Sequence, residues 1–150
     1  MDDAGTQARA LWAGDVASRS LGMTLQASGP GTATVRMQVL PSMLNGHGSC
    51  HGGYLFLLAD TAFAMACNSR GEPVVAAGAD ISFLAPAREG DELVAVAVER
   101  VLRGRSGLYD VQVRCADEVV AELRGRSRSL TRPASPPRPD ATTARPAPSS

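Results

Sequence analysis

Asn45 to Cys67 reads NGHGSCHGGYLFLLADTAFAMAC, and this stretch decides the fold. Its second part, Tyr54 to Cys67, is apolar around the full circumference of a helix, so a helix there is predicted to be buried on every side. One carboxylate interrupts it. Asp60 shares its helical face with Phe56, Leu57, Phe63 and Ala64, three and four residues away. A carboxylate among such neighbours is costly unless it has a purpose. Upstream, His51, Gly52 and Gly53 open the helix. First-turn N–H groups lack intrahelical acceptors, and the helix dipole adds positive character there. A glycine pair lets a ligand oxygen approach those groups, as a polarised carbonyl or an oxyanion requires. Gly52 and Asp60 are about 12 Å apart along one helix, at roughly 1.5 Å per residue. One carbonyl carbon cannot meet both, so joint action requires the carboxylate of a second chain, packed antiparallel about a two-fold axis.

Outward from this helix the chain alternates. Residues 4–19 read as short helical or irregular structure, with Leu11 and Trp12 packing inward. Strands are predicted at 22–28 and 32–40, the second alternating Ala33, Val35, Met37 and Val39 with polar residues. After the helix stop at Asn68–Gly71 come four more strands, at 74–85, 91–102, 108–116 and 118–130. Their turns suit antiparallel neighbours. One helix against six strands is an α+β layer. From Thr131 the last twenty residues hold six of the ten prolines and no large apolar residue. The division is therefore a folded domain at 1–130 and a disordered tail at 131–150.

The blocks that follow the helix resemble a known family. Asn45, His51-Gly52-Gly53, LADTAFAMACNSRG (58–71), DISFLAPAREGDEL (80–93) and GRSGLYDVQV (104–113), in that order and spacing, resemble hotdog-fold acyl-CoA thioesterases of the hydroxyphenylacetyl-CoA (PaaI) type. The resemblance covers about residues 12–130. It implies a sheet wrapped around one long helix, a dimer or dimer of dimers, and hydrolysis of phenylacetyl-type CoA thioesters without metal or other cofactor. In it Asp60 is base or nucleophile, Gly52 the oxyanion donor, and His51 and Asn45 orienting groups. Gly53 and Ser106, with Arg103 and Arg105 near the 104–107 turn, are candidates to hold the substrate, the arginines through charge-assisted bonds to phosphates. One departure stands out. Where relatives often carry a hydroxyl two positions before Asp80, this chain has Gly78, and Ala64 follows Asp60 by one turn. Asn45, or a hydroxyl such as Thr61 or Ser82, is left to position water.

Plainer readings exist for each residue. Asp60 could cap a neighbouring element, Gly52 serve a tight turn, Asn45 and His51 complete a loop, and the arginines be a solvated hairpin tip. Cys50 beside His51 could form a nucleophile pair. His47, Cys50, His51 and Asp60 could hold zinc, although their spacing matches no standard site. Fifteen basic residues, all arginine, balance fifteen acidic ones, which argues against a nucleic-acid or membrane partner. Three scattered cysteines and the lack of a leader or a long apolar span point to the cytoplasm. Within the same fold, a hydratase or dehydratase of acyl thioesters is an alternative. Outside enzymes, a non-catalytic acyl-CoA sensor is another.

Overall fold

A computed structural model describes residues 3–134 and 136–139. Its elements follow in chain order as α1 (Asp3–Gly14), α2 (Val16–Ser20), β1 (Thr24–Gly29), β2 (Thr32–Gln38), a 3-10 turn at Pro41–Met43, α3 (Gly52–Cys67), β3 (Val74–Phe83), β4 (Glu92–Arg103), β5 (Ser106–Cys115) and β6 (Glu118–Ser129). All six expected strands are present. The N-terminal segment is more regular than expected, two helices broken at Asp15, which accepts from the Ser18 N–H at 3.0 Å and so caps α2.

The six strands form one antiparallel sheet in the order β1-β2-β4-β5-β6-β3. It wraps around α3, the hotdog arrangement that the resemblance implied. Alternation puts Ala33, Val35 and Met37 on the inner face with Leu93, Ala95, Ala97, Val111, Val113 and Leu123, all buried. From α3, Leu55, Leu58, Ala59, Ala62, Phe63 and Ala66 close onto that face. The Phe63 ring is wholly buried and tilts against Tyr109, with centroids 5.4 Å apart. Its seat is Gly125 of β6, where a Cβ would come within 2.8 Å of Phe63 Cζ. At the other end of α3, the buried Asn68 side chain donates to the carbonyls of Ala64 and Val74 and accepts from the Val74 N–H, each at 2.9 Å. That side chain fixes where β3 begins.

Two features add to the sequence reading. The helix is not covered on every side by its own chain: Phe56, Leu57, Asp60 and Ala64 form a half-exposed stripe. The sheet covers one flank and α1–α2 another, and the stripe stays only partly covered. Second, the residues after 130 are not all free of the body. Arg132 pairs with Glu72 at 3.0 Å and its carbonyl accepts from Arg105 Nε at 2.8 Å. The remainder of the proline-rich tail falls largely outside the described residues. No described helix is long and apolar enough to cross a membrane.

Gly125→Ala should lower stability by about 1–3 kcal/mol, because the wholly buried ring above it cannot yield to the added methyl. Urea unfolding would report a lower midpoint with an unchanged m-value. A midpoint equal to wild type would show that the seat is loose.

Candidate active site

The mouth of α3 is built from its own loop. Asn45 Oδ1 accepts from His47 N (2.9 Å), Ser49 N (3.2 Å) and Ser49 Oγ (3.4 Å), closing a tight turn in which Gly48 takes φ +78°. The loop is tied on both sides, through Cys50 N to the Ala87 carbonyl and His51 N to the Met43 carbonyl, each at 2.8 Å. His51 is the helix N-cap, and its Nδ1 accepts from Gly53 N at 3.0 Å. With Nδ1 accepting, the ring proton sits on Nε2, which is free to donate. The Tyr54 and Leu55 N–H groups turn back to the His51 carbonyl. The first-turn donor left over is Gly52, whose N–H meets no acceptor among the described residues.

Gly52 lies in a cavity of about 500 Å³ with Asn45, Ser49, Cys50, Leu55, Phe83, Leu84, Ala85 and Pro86. Asn45 Oδ1 is engaged in its loop, so the group Asn45 can offer here is its amide N–H. The Cys50–His51 nucleophile pair is not formed. The thiol lies 3.7 Å from the His51 carbonyl, the ring nitrogen Nδ1 serves Gly53, and burial pushes the Cys50 pKa up. Among the described residues no three His, Cys, Asp or Glu side chains converge to hold a metal ion.

Asp60 is absent from that cavity. It stands on the half-exposed stripe with no hydrogen-bond donor or cation against it among the described residues. Its pKa is raised above the ordinary 3.8, first by burial and then by the negative charge of Asp15. Asp15 belongs to the N-terminal segment and is held by Ser18 Oγ at 2.7 Å. Ser18 Oγ lies 2.7 Å from Thr61 Oγ1, which donates to the Leu57 carbonyl at 2.8 Å. Thr61 is therefore buried in that network and not available to position water. Ser82 and Gly78 are not available either. They share with Asp80 the sheet face that carries Arg124 and Arg126, away from α3, and the Arg126 guanidinium lies over Gly78. Of the water-positioning candidates, Asn45 is left.

The hairpin residues lie elsewhere. Phe83 of β3 stands at the start of α3 and Val74 at its end, and β6 and β5 carry that direction across the sheet to Arg103–Ser106. In one chain this hairpin and Gly52 are at opposite ends of α3, about 24 Å of helix. Arg103 and Ser106 line a groove of about 420 Å³ together with Arg126 and Arg128, while Arg105 turns to the Arg132 carbonyl. Arg126 and Arg128 were not singled out in the sequence, although the period-two arginines of RGRSR mark one strand face. Asp15 and Phe83 carried no sequence signal of a site at all.

Comparison with known proteins agrees with the fold. The sequence pattern of the Thioesterase superfamily matches residues 47–122. Acyl-coenzyme A thioesterase PaaI of Escherichia coli (strain K12) is 44% identical over 124 residues, 82% of this chain and 89% of its own. The solved structure of the E. coli PaaI protein from the phenylacetic acid degradation operon has a TM-score of 0.83 at 41% identity, over 89% of this chain and 97% of that one. Human acyl-coenzyme A thioesterase 13 is 31% identical over 108 residues, 71% of this chain and 76% of its own.

The raised Asp60 carboxyl has a consequence for stability. Its folded pKa exceeds the unfolded one, so the folded chain binds the proton more readily and loses stability as pH rises through the window above about 3.8. Asp60→Asn removes that penalty. Its Tm should exceed wild type at pH 7, with the gap closing as pH falls to 3.8 and below. A capping carboxylate would give the reverse, a lower Tm at pH 7.

Proposed function

The chain belongs to the thioesterase superfamily, and from that premise we propose that it hydrolyses acyl-CoA thioesters, phenylacetyl-type ones foremost, at sites shared between the two chains of a homodimer. The observation that carries this reading is the open Gly52 N–H at the helix mouth. It is a preorganised donor, reinforced by the helix dipole and reachable from the adjoining cavity. The thioester oxygen accepts from it, with His51 Nε2–H and the Asn45 amide N–H as further donors, and the carbonyl carbon becomes electrophilic.

Asp60 cannot reach that carbon in its own chain, since the helix holds it about 12 Å from Gly52. The partner's copy of α3, packed antiparallel along the stripe of Phe56, Leu57, Asp60 and Ala64, brings a second Asp60 to it. β3 supports the same pairing, because it is a ten-residue strand at the edge of the sheet, and an edge strand pairs with its own copy across a two-fold axis. Two routes fit the carboxylate. As general base it takes a proton from water, hydroxide adds to the carbonyl carbon, and the C–S bond breaks to release CoA thiolate, which takes up a proton. As nucleophile it forms a mixed anhydride, releasing the same thiolate, and water then cleaves the anhydride. A carboxylate held above its ordinary pKa is the stronger base for either.

The opposite placement of hairpin and helix mouth suits this dimer. The antiparallel partner carries its own Arg103, Arg105 and Ser106 toward the first chain's Gly52, where they hold the CoA phosphates and Gly53 leaves room for the pantetheine arm. Three unpaired cysteines suit the cytoplasm.

Asp60→Asn should retain thioester binding while kcat for phenylacetyl-CoA falls roughly a thousandfold or more, measured as thiol release. Near-normal turnover by the folded variant would remove Asp60 from the chemistry.

A further inference from the structure

Gly52 has a second neighbour besides the ligand it is open to. A Cβ at this position would lie 3.0 Å from Phe83 Cζ and 3.2 and 3.4 Å from its two Cε atoms. The far edge of the Phe83 ring therefore stands against the Gly52 Cα, beside the N–H that has no acceptor. A Cβ here would be a tight contact that the exposed ring tip relieves only by giving way a few tenths of an ångström. Phe83 is also out of place by burial. Its cross-strand partner Ala121 is wholly buried, whereas the ring is 54% exposed. With Leu55, Leu84, Ala85 and Pro86 it forms the apolar wall of the cavity that contains Gly52. The backbone behind the ring is fixed, because the N–H groups of Leu84 and Ala85 both bond to the Val120 carbonyl, at 2.9 and 3.3 Å. Side-chain rotation is therefore what moves the ring along this wall.

A carbonyl oxygen within hydrogen-bond distance of Gly52 N puts its carbon about 4 Å from that nitrogen, next to the ring. Whatever group the carbonyl carries then leaves along the ring. We propose that Phe83 is the residue that sorts acyl groups: a flat aryl group packs on its face, and a flexible alkyl chain gains less from it while losing rotamer freedom. This rests on the thioesterase reading for the identity of the ligand, and adds to it a residue that selects among acyl groups.

The test uses residues 1–150 and two CoA thioethers that keep a ketone carbonyl but cannot be hydrolysed, S-(2-oxo-3-phenylpropyl)-CoA and S-(2-oxoheptyl)-CoA, with Kd from calorimetry. Phe83→Leu keeps an apolar residue at an exposed position, and Phe83→Tyr keeps the ring. The aryl-to-alkyl affinity ratio should fall about five- to tenfold in Phe83→Leu and stay within twofold of wild type in Phe83→Tyr. The ratio of kcat/KM for phenylacetyl-CoA over hexanoyl-CoA should move in parallel. A ratio unchanged in Phe83→Leu, or an equal loss for both thioethers, would overturn the proposal. Absence of thiol release by a wild type that binds both thioethers would instead contradict the hydrolytic reading, with the Phe83 ratio still read from binding.

Discussion

The central helix is apolar around its whole circumference, and no single layer of protein can cover a cylinder. That burial problem shapes the rest of the molecule. The inner face of the sheet takes the flank of Leu55, Leu58, Ala62, Phe63 and Ala66, using alanines at 95 and 97 and a glycine at 125 so that helix and strands can approach. The N-terminal helices take another flank and tie down Thr61 through Ser18. One stripe remains half open, and it is the stripe that carries Asp60. The position of a carboxylate on an otherwise apolar helix thus coincides with the one direction from which another chain can complete the burial.

In the mechanism we propose, the same helix separates the two halves of the chemistry. Its first turn supplies a donor and its middle supplies a carboxylate, and rigidity keeps them apart. The electrostatics run the same way. His51 and the turn of Asn45 tie down the loop around Gly52, so its open N–H is held in place by bonded neighbours. Asp60 is given no cation or donor by the described residues, and burial together with Asp15 pushes its pKa up. A site arranged for stability would have paired that carboxylate. Leaving it unpaired costs stability, and in the proposed mechanism that carboxylate is the base or the nucleophile.

Much of this was legible from the sequence because it is local. Period-two alternation marks β2, and turn residues delimit the four strands after α3. His51-Gly52-Gly53 before an apolar run marks a helix mouth. What could not be read depends on how elements are assembled. A uniformly apolar helix gives no sign of which face its own sheet leaves open, so burial on every side was expected. The strand order puts Arg103 and Ser106 at the far end from Gly52, a separation that no spacing in the chain encodes. Phe83 is remote from Gly52 in sequence, and its register on β6 decides that its ring reaches the helix. Ser82 and Gly78 fail as site residues for a related reason, since one step along β3 moves a side chain to the other face.

The central claim is that each site joins one chain's Gly52 to the other chain's Asp60, and chain mixing tests it most directly. Asp60→Ala and Gly52→Val should each be inactive as pure homodimers. After random mixing about half the dimers carry one chain of each kind, and in those one site unites an intact helix mouth with an intact carboxylate. Roughly a quarter of wild-type activity should return. No recovery in dimers verified to be mixed and folded would mean that each site is built within a single chain.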